Sequence, residues 1–404
     1  MWRSAVDDPL DSIRFELAGI TAEGRLRTRP LIDSPDGRLI SLRADGKRLK
    51  LVNWASNDYL GMAGELVVAN GARRALRTWG AGSGAARLLA GGLALHRRLE
   101  LHLARFLGAE DSLLTTTGFQ ANLAALGALA GDPEDVLILD RLCHASTYDG
   151  ARLAAGTLLR FAHNDVADLE RNLERASSGR RRIVCVESIY SMDGDEAPLA
   201  AIRAACDRHG ALLLVDEAHA LGVVGPGGRG LCAETSVRAD VRVGTCSKAL
   251  GSQGGFIAAS SAVVELCVNR GRAFIFSTAP VPAATGASLA ALELLERQSD
   301  RPAKLLATAA GLRLALAAQG WTIPAGRSPI IPLLVGDEAA ALDLAEKLRA
   351  LGHHAPAIRP PTVAAGACRL RLTLTHAHRP VDLRRLLAAL ASVRLAEGTP
   401  QAQG

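Results

Sequence analysis

The middle of the chain repeats one unit: a short apolar run that ends on polar residues, followed by a helical pattern. Four such runs are Asp135–Asp140, Arg182–Glu187, Ala211–Asp216 and Val241–Thr245, with helix-like segments such as Ala197–His209 between them. Strands that are apolar along their length are buried on both faces, and strands joined through helices run parallel. The pattern therefore predicts an α/β fold, a mostly parallel sheet flanked by helices. In such sheets ligands gather beyond the carboxyl ends of the strands, so the residues just after each run are the informative ones.

The flanks read differently. Residues 1–50 look like an N-terminal arm with a turn-rich stretch at Asp33–Gly37. Residues 51–280 form the large unit. Residues 281–404 carry a helical stretch at Lys304–Gln319, a strand-like Ile330–Val335, a helix near Ala339–Leu351 and a strand-like Cys368–Thr375, which predicts a smaller α/β C-terminal domain. No internal repeat or low-complexity tract is present.

Composition excludes several classes. At 49% hydrophobic and 22% charged, the chain can bury a sizeable core and is not disordered by default. No apolar run approaches the roughly 18 residues that span a bilayer, and Met1–Leu10, with Asp7 and Asp8, lacks a signal-peptide core. A soluble cytoplasmic protein is expected. None of the seven cysteines forms a C-x-x-C pair, so buried free thiols are expected rather than disulfides or metal ligands. The net charge of +6 comes mostly from scattered arginines, and aromatics are only 3%, which argues against nucleic acid. The excess reads as a solvated face, or as a mild attraction for an anionic acyl-CoA or acidic carrier protein.

The residues after the runs carry chemistry. Lysine occurs only at Lys47, Lys50, Lys248, Lys304 and Lys347, and Lys248 alone sits among small residues at a strand end, Thr245–Gly255. Small neighbours let a flat cofactor approach an amine that a Schiff base would need desolvated but reachable; an ordinary loop lysine is the competing reading. Asp216-Glu-Ala-His219 lies 32 residues upstream. A carboxylate there can hold a cofactor ring nitrogen protonated, and a histidine can orient the ring. The same four letters mark a helicase class, but that reading needs a G-x-x-x-x-G-K-[ST] loop, which the sequence lacks. Gly118 and Phe119, in Thr115–Asn122, start a helical pattern and make an anion site, although plain capping looks the same. His144 follows the Asp135–Asp140 run, where an imidazole can stack on a ring or be merely structural. Glu187 and Ser191 follow the Arg182–Glu187 run, suited to polar substrate groups and to a ring hydroxyl. The glycine-rich Gly80–Gly92 follows no strand run and holds Arg87, so it reads as a flexible active-site loop, not a dinucleotide turn.

Together these motifs, in order and spacing from Asn57–Gly61 to Arg369–Thr375, resemble the α-oxoamine synthases, a pyridoxal 5'-phosphate (PLP) family of fold type I. The resemblance covers most of the chain and implies a role for each matching residue. Lys248 would form the Schiff base with PLP. Asp216 would pair with the ring nitrogen, His219 with the ring oxygen, and His144 would stack on the ring with Ser191 in contact. Gly118, Phe119 and Thr245 would hold the phosphate, joined by Ser277 or Thr278 from the partner in a homodimer. Asn57, His144, Glu187, Arg359 and Thr362 would meet the substrates, with Arg359 binding the amino-acid carboxylate, and either Arg27 or Arg29 would meet the acyl substrate. The motif Ile358–Val363 with Arg369–Thr373 is similar to members that condense L-alanine with a pimeloyl thioester, carried by CoA or by acyl carrier protein. It is less similar to those that make 5-aminolevulinate or transfer acetyl groups to glycine. Ala86, Ala220, Ala364 and Ala367–Cys368 depart from the usual pattern and bear on loop shape and acyl-chain fit.

Overall fold

The computed structural model describes residues 8–396 apart from Thr28, Asp36 and Asp45. The first helix, α1 (Asp11–Ala22), precedes three antiparallel strands, β1 (Leu31–Pro35), β2 (Leu39–Ala44) and β3 (Lys47–Asn53). The central sheet has seven strands: β4 (Asp111–Thr115), β5 (Val136–Asp140), β6 (Thr157–Phe161), β7 (Arg182–Glu187), β8 (Leu212–Asp216), β9 (Val241–Thr245) and β10 (Gly255–Ala259). Their order is β4-β10-β9-β8-β7-β5-β6; β10 alone runs antiparallel to its neighbours.

The apolar runs become strands because each residue has somewhere to be buried. Ile138, Val184, Val186, Leu213 and Val215 enter one core, while Leu137, Leu139, Ile183, Cys185 and Leu214 enter the other. This period-two alternation fills both faces of the sheet, as continuous apolar strands require. The second core is closed by the Ala/Leu-rich helix Gly118–Leu129. All seven cysteines are buried free thiols, as expected.

At the C-terminal end, β11 (Ile330–Gly336), β13 (Ala357–Ile358) and β14 (Cys368–Thr373) form a three-stranded sheet. β12 (His353–His354) instead pairs in parallel with β3, so the N-terminal strands are joined to the end of the chain. β3 runs across residue 50, and the helix Pro282–Arg297 packs on the helices Leu66–Trp79 and Ala94–Leu107. No helix among the described residues is long and apolar enough to cross a membrane.

Gly80–Gly92 is better fastened than its composition suggests. Arg87 makes an ion pair with buried Glu100 at 2.8 Å and lies over the Phe274 ring, and Ala86 forms a bridge with Thr278. Nine glycine and alanine residues imply freedom, but one arginine with a buried partner and one bridge tie the stretch down.

Candidate active site

Four strands deliver polar residues to one place. A cavity of about 250 Å³ opens beyond the carboxyl ends of β5, β7, β8 and β9, lined among others by Gly118, His144, Glu187, Asp216, His219, Thr245 and Lys248. The parallel sheet does this work: each strand ends its apolar run at the same edge of the core.

The Asp216 carboxylate is fixed on both oxygens. Asn122 Nδ2 donates to Oδ2 at 2.8 Å, and the Ala218 amide donates to Oδ1 at 2.9 Å. Asn122 also reaches Ser146 Oγ at 2.9 Å, and the Ser146 amide donates to His144 Nδ1 at 3.1 Å. That bond makes Nδ1 an acceptor, so a neutral His144 carries its proton on Nε2. Burial, partly offset by Asp216, lowers the His144 pKa and favours the neutral ring.

Lys248 is subject to the same balance. Desolvation pushes its amine down to about 8, against the pull of Asp216 and Glu187. Near neutral pH the ammonium is still the larger form, and about a tenth of the amine is neutral and able to act as a nucleophile or base. Lys248 Nζ lies 2.7 Å from His219 Nε2. Burial first, and then the charges of Lys248 and Arg371, depress the His219 pKa well below its ordinary value. The Glu187 carboxyl moves the other way: burial and the neighbouring Asp216 raise it well above the usual range.

The helix Gly118–Leu129 supplies a cationic end. Thr117 caps it by accepting from the Gln120 amide at 3.1 Å, which leaves the Gly118 and Phe119 amides at the first two helical positions, where no intrahelical acceptor exists. Two glycines permit this approach. A Cβ on Gly118 would lie 3.2 Å from Thr245 Cβ, and one on Gly255 would lie 2.3 Å from the Thr117 carbonyl oxygen. The Thr245 hydroxyl donates to Gly254 O at 2.7 Å and accepts from the Ser247 amide at 3.1 Å.

These residues fit PLP. The group needs an amine for its aldehyde, an anion for its ring nitrogen and an anion site for its phosphate, and Lys248, Asp216 and the Gly118 helix end supply all three around one cavity. Glu187 Oε1 and Asn122 Oδ1 are buried there with no hydrogen-bond partner among the described residues, as expected of atoms awaiting a ligand.

Other expected residues lie apart. Arg27, Arg359 and Thr362 line a separate cleft of about 800 Å³ between the N-terminal arm and the last strands. There Arg359 is already engaged, with Glu338 Oε1 at 2.7 Å and the Gly24 carbonyl at 2.8 Å. Arg29 is exposed and does not line that cleft. Ser191 does not line the Lys248 cavity; its carbonyl accepts from Arg371 Nε at 2.6 Å. Ser277 Oγ takes a hydrogen bond from Gln120 Nε2 at 3.0 Å, and with Thr278 lines a neighbouring recess. Asn57 touches the site through others: its Oδ1 accepts from Arg371 Nη1 at 3.1 Å, and Tyr59 links it to His219.

Sequence reasoning missed Asn122, Ser146, Tyr59, Arg371 and Glu338. Asn122 had a signal, as a lone polar residue in the apolar helical run Ala121–Leu129. Tyr59 and Arg371 are brought to His219 only by long-range folding.

The aminotransferase class I and II family matches residues 50–390. The chain is 45% identical over 386 residues to an 8-amino-7-oxononanoate synthase of Anaeromyxobacter dehalogenans, covering 95% of this chain and 96% of the relative. It is 42% identical to a protein of the same name from Aromatoleum aromaticum, over 94% of this chain and 98% of that one. Among solved structures, an SPT with PLP superposes with a TM-score of 0.90 at 28% identity, covering 98% of this chain and 100% of that chain.

Proposed function

The chain belongs to the aminotransferase class I and II family, and we propose that it condenses L-alanine with a pimeloyl thioester to give 8-amino-7-oxononanoate, CO2 and free thiol, a step of biotin biosynthesis. The observation that carries this reading is the meeting of Lys248, Asp216 and the Gly118 helix end in one cavity, in a chain this similar to 8-amino-7-oxononanoate synthases.

Bound PLP supplies an electron sink for charge at the alanine Cα. Asp216, held by Asn122 and Ala218, would be the counter-charge for its ring nitrogen. The Gly118 and Phe119 amides, with Thr245 beside them, would hold its phosphate. Lys248 Nζ, depressed to about 8, takes the proton from Cα and later returns one. A bond then forms between Cα and the thioester carbonyl carbon, the carbon–sulfur bond breaks, and the sulfur leaves as thiol. The carboxylate departs as CO2 and leaves its electron pair at Cα, which is reprotonated. His144, with its proton on Nε2, donates to the oxygen that bears charge during bond formation, and the Glu187 carboxyl donates to a polar substrate group. Arg359 lies in the separate cleft, so to bind the amino-acid carboxylate it must let go of Glu338 and turn toward the Lys248 cavity; Thr362 lines the same cleft, and Arg27, which lines it as Arg29 does not, meets the acyl substrate.

The reading includes a cytoplasmic homodimer with a PLP-binding unit over 51–280 and a smaller unit over 281–404. α1 supports a partner: it buries none of its own residues, and Phe15 is 83% exposed. So does Phe276, 71% exposed beside Ser277 and Thr278. The partner's copies of Ser277 and Thr278 would complete the phosphate site. CoA and acyl carrier protein both remain suitable thiol carriers for a surface of net charge +6.

Thiol release tests this directly, over a grid of acyl donors and amino acids. The expected pattern is release from pimeloyl-CoA or pimeloyl carrier protein with L-alanine. Turnover only of succinyl-CoA or acetyl-CoA with glycine would move the chain to another α-oxoamine synthase activity.

A further inference from the structure

Behind the Lys248 cavity lies a buried chain of polar contacts that the reaction so far leaves unused. Lys248 Nζ is 2.7 Å from His219 Nε2, and His219 Nδ1 is 2.5 Å from the hydroxyl of Tyr59. Tyr59 is completely buried, and its hydroxyl is also 3.4 Å from Asn57 Oδ1. That oxygen already accepts from Arg371 Nη1 at 3.1 Å and from Nη2 at 3.2 Å.

Two proton arrangements satisfy the short contacts. In one, the lysine ammonium donates to Nε2, Nδ1–H donates to the Tyr59 oxygen, and the Tyr59 proton must go to Asn57. In the other, Tyr59 donates to Nδ1, and Nε2–H donates to the lone pair of a neutral Lys248. The first asks the phenol to make a 3.4 Å bond to an oxygen that two guanidinium N–H groups already occupy, and it buries an ammonium beside an imidazole. The second places the phenol proton in the shortest contact and requires a neutral amine, the form that Lys248 takes above about pH 8.

We infer that Tyr59 is a positioning residue that fixes the tautomer of His219, so that the imidazole presents Nε2–H to Lys248 and, in the loaded enzyme, to the cofactor's ring oxygen. Arg371 completes the device by keeping Asn57 Oδ1 occupied, which leaves His219 as the better acceptor for the phenol. The orientation of one imidazole proton is thus set from β14 and from the turn after β3, more than a hundred residues away on either side. Its use in catalysis rests on Lys248 being the cofactor lysine; the tautomer itself does not.

The test is nitrogen-15 NMR of the imidazole nitrogens in the full-length protein, with PLP and, without it, above about pH 8 where the Lys248 amine is neutral. The His219 signal is identified by its loss in His219→Gln. The expected wild-type pattern is a protonated Nε2 and an acceptor Nδ1; an Nδ1–H tautomer overturns the inference, whatever the variants do. In Tyr59→Phe the Nε2–H preference is expected to weaken or invert. In the PLP-loaded variant, the visible band should then titrate roughly one pH unit higher, because a donor to the ring oxygen is lost. The groups that face Lys248 and His219 in that titration, Asp216, Glu187, His144 and Arg371, are unchanged in the variant. kcat should fall about tenfold with the KM for alanine unchanged. A merely structural Tyr59 would lower activity and leave the tautomer as it was, and that result overturns the proposal. Failure of thiol release with pimeloyl donors would touch only the substrate reading.

Discussion

The cavity around Lys248 and the cleft around Arg359 differ in what their charged groups touch. In the cavity, Asp216 is braced by Asn122 and Ala218, and Lys248 meets His219, all from short segments at neighbouring strand ends or one helix. In the cleft, Arg359 already has an anionic partner, Glu338, and a hold on the N-terminal arm through Gly24. The first arrangement leaves buried acceptors unsatisfied for a ligand to fill, whereas the second must give something up before a carboxylate can enter. Groups that act on developing charge gain from being set in advance, because reorganisation then costs nothing during the reaction. Groups that admit and release substrate gain from an exchangeable partner.

The largest effect should come from the braced side. Lys248→Ala removes the only amine in the cavity among the described residues. Activity is expected to drop by at least about 10³-fold, with loss of the visible absorbance that a lysine Schiff base gives on adding PLP. Retention of that band would place the reactive lysine elsewhere and end the contrast between the two sites.

The cleft should respond more gently, and its two partners in opposite directions. Arg359→Lys loses the forked geometry and should raise the KM for alanine about tenfold or more with little change in kcat. Glu338→Gln removes the competitor for the guanidinium, so the KM for alanine should fall a few-fold, as expected when the binding-competent fraction rises. Steady-state kinetics at varied alanine separate the outcomes. A raised KM in Glu338→Gln would show that Glu338 aims Arg359 instead of occupying it, and the cleft would then be as preset as the cavity.

This contrast also explains what the sequence made legible. Asp216, Lys248, Gly118 and His144 were readable because each follows an apolar run or opens a helix, and a parallel sheet carries such residues to one edge whatever else the chain does. The antiparallel setting of β10 was not readable, since Gly255–Ala259 is as apolar as its parallel neighbours and only its partners differ. Nor was the union of β3 with β12, which joins residues about three hundred positions apart. Tyr59 lies 160 positions from the histidine it touches, and although it falls inside the motif Asn57–Gly61, nothing in that motif tells which residue it meets. Arg359 was legible as a motif, but its pairing with Glu338 depends on how a helix start meets the segment before β14.

A residue that belongs to neither site should give the smallest effect. His163 lies between Asp140, at 3.0 Å from Nδ1, and Asp195, at 2.8 Å from Nε2, with the Tyr190 ring against it edge-on. Asp140 begins the segment that carries His144. Asp195 closes the loop of Ser191 and Asp193, which β14 grips through Arg369 and Arg371. Burial opposes the charge on His163, but hydrogen bonds to Asp140 and Asp195 outweigh it and lift the imidazolium from 6.5 to about 10. Because the folded value is raised, the stabilisation is fully present below about 6.5 and is lost as pH climbs through about 10. His163→Gln should therefore unfold in urea with about 1–2 kcal/mol less stability at pH 6, and the gap to wild type should narrow steadily toward pH 10. An equal gap at both ends of that range would mean that His163 contributes by packing on Tyr190, not by charge. Two loops that reach the Lys248 cavity and β14 would then be tied together by shape alone.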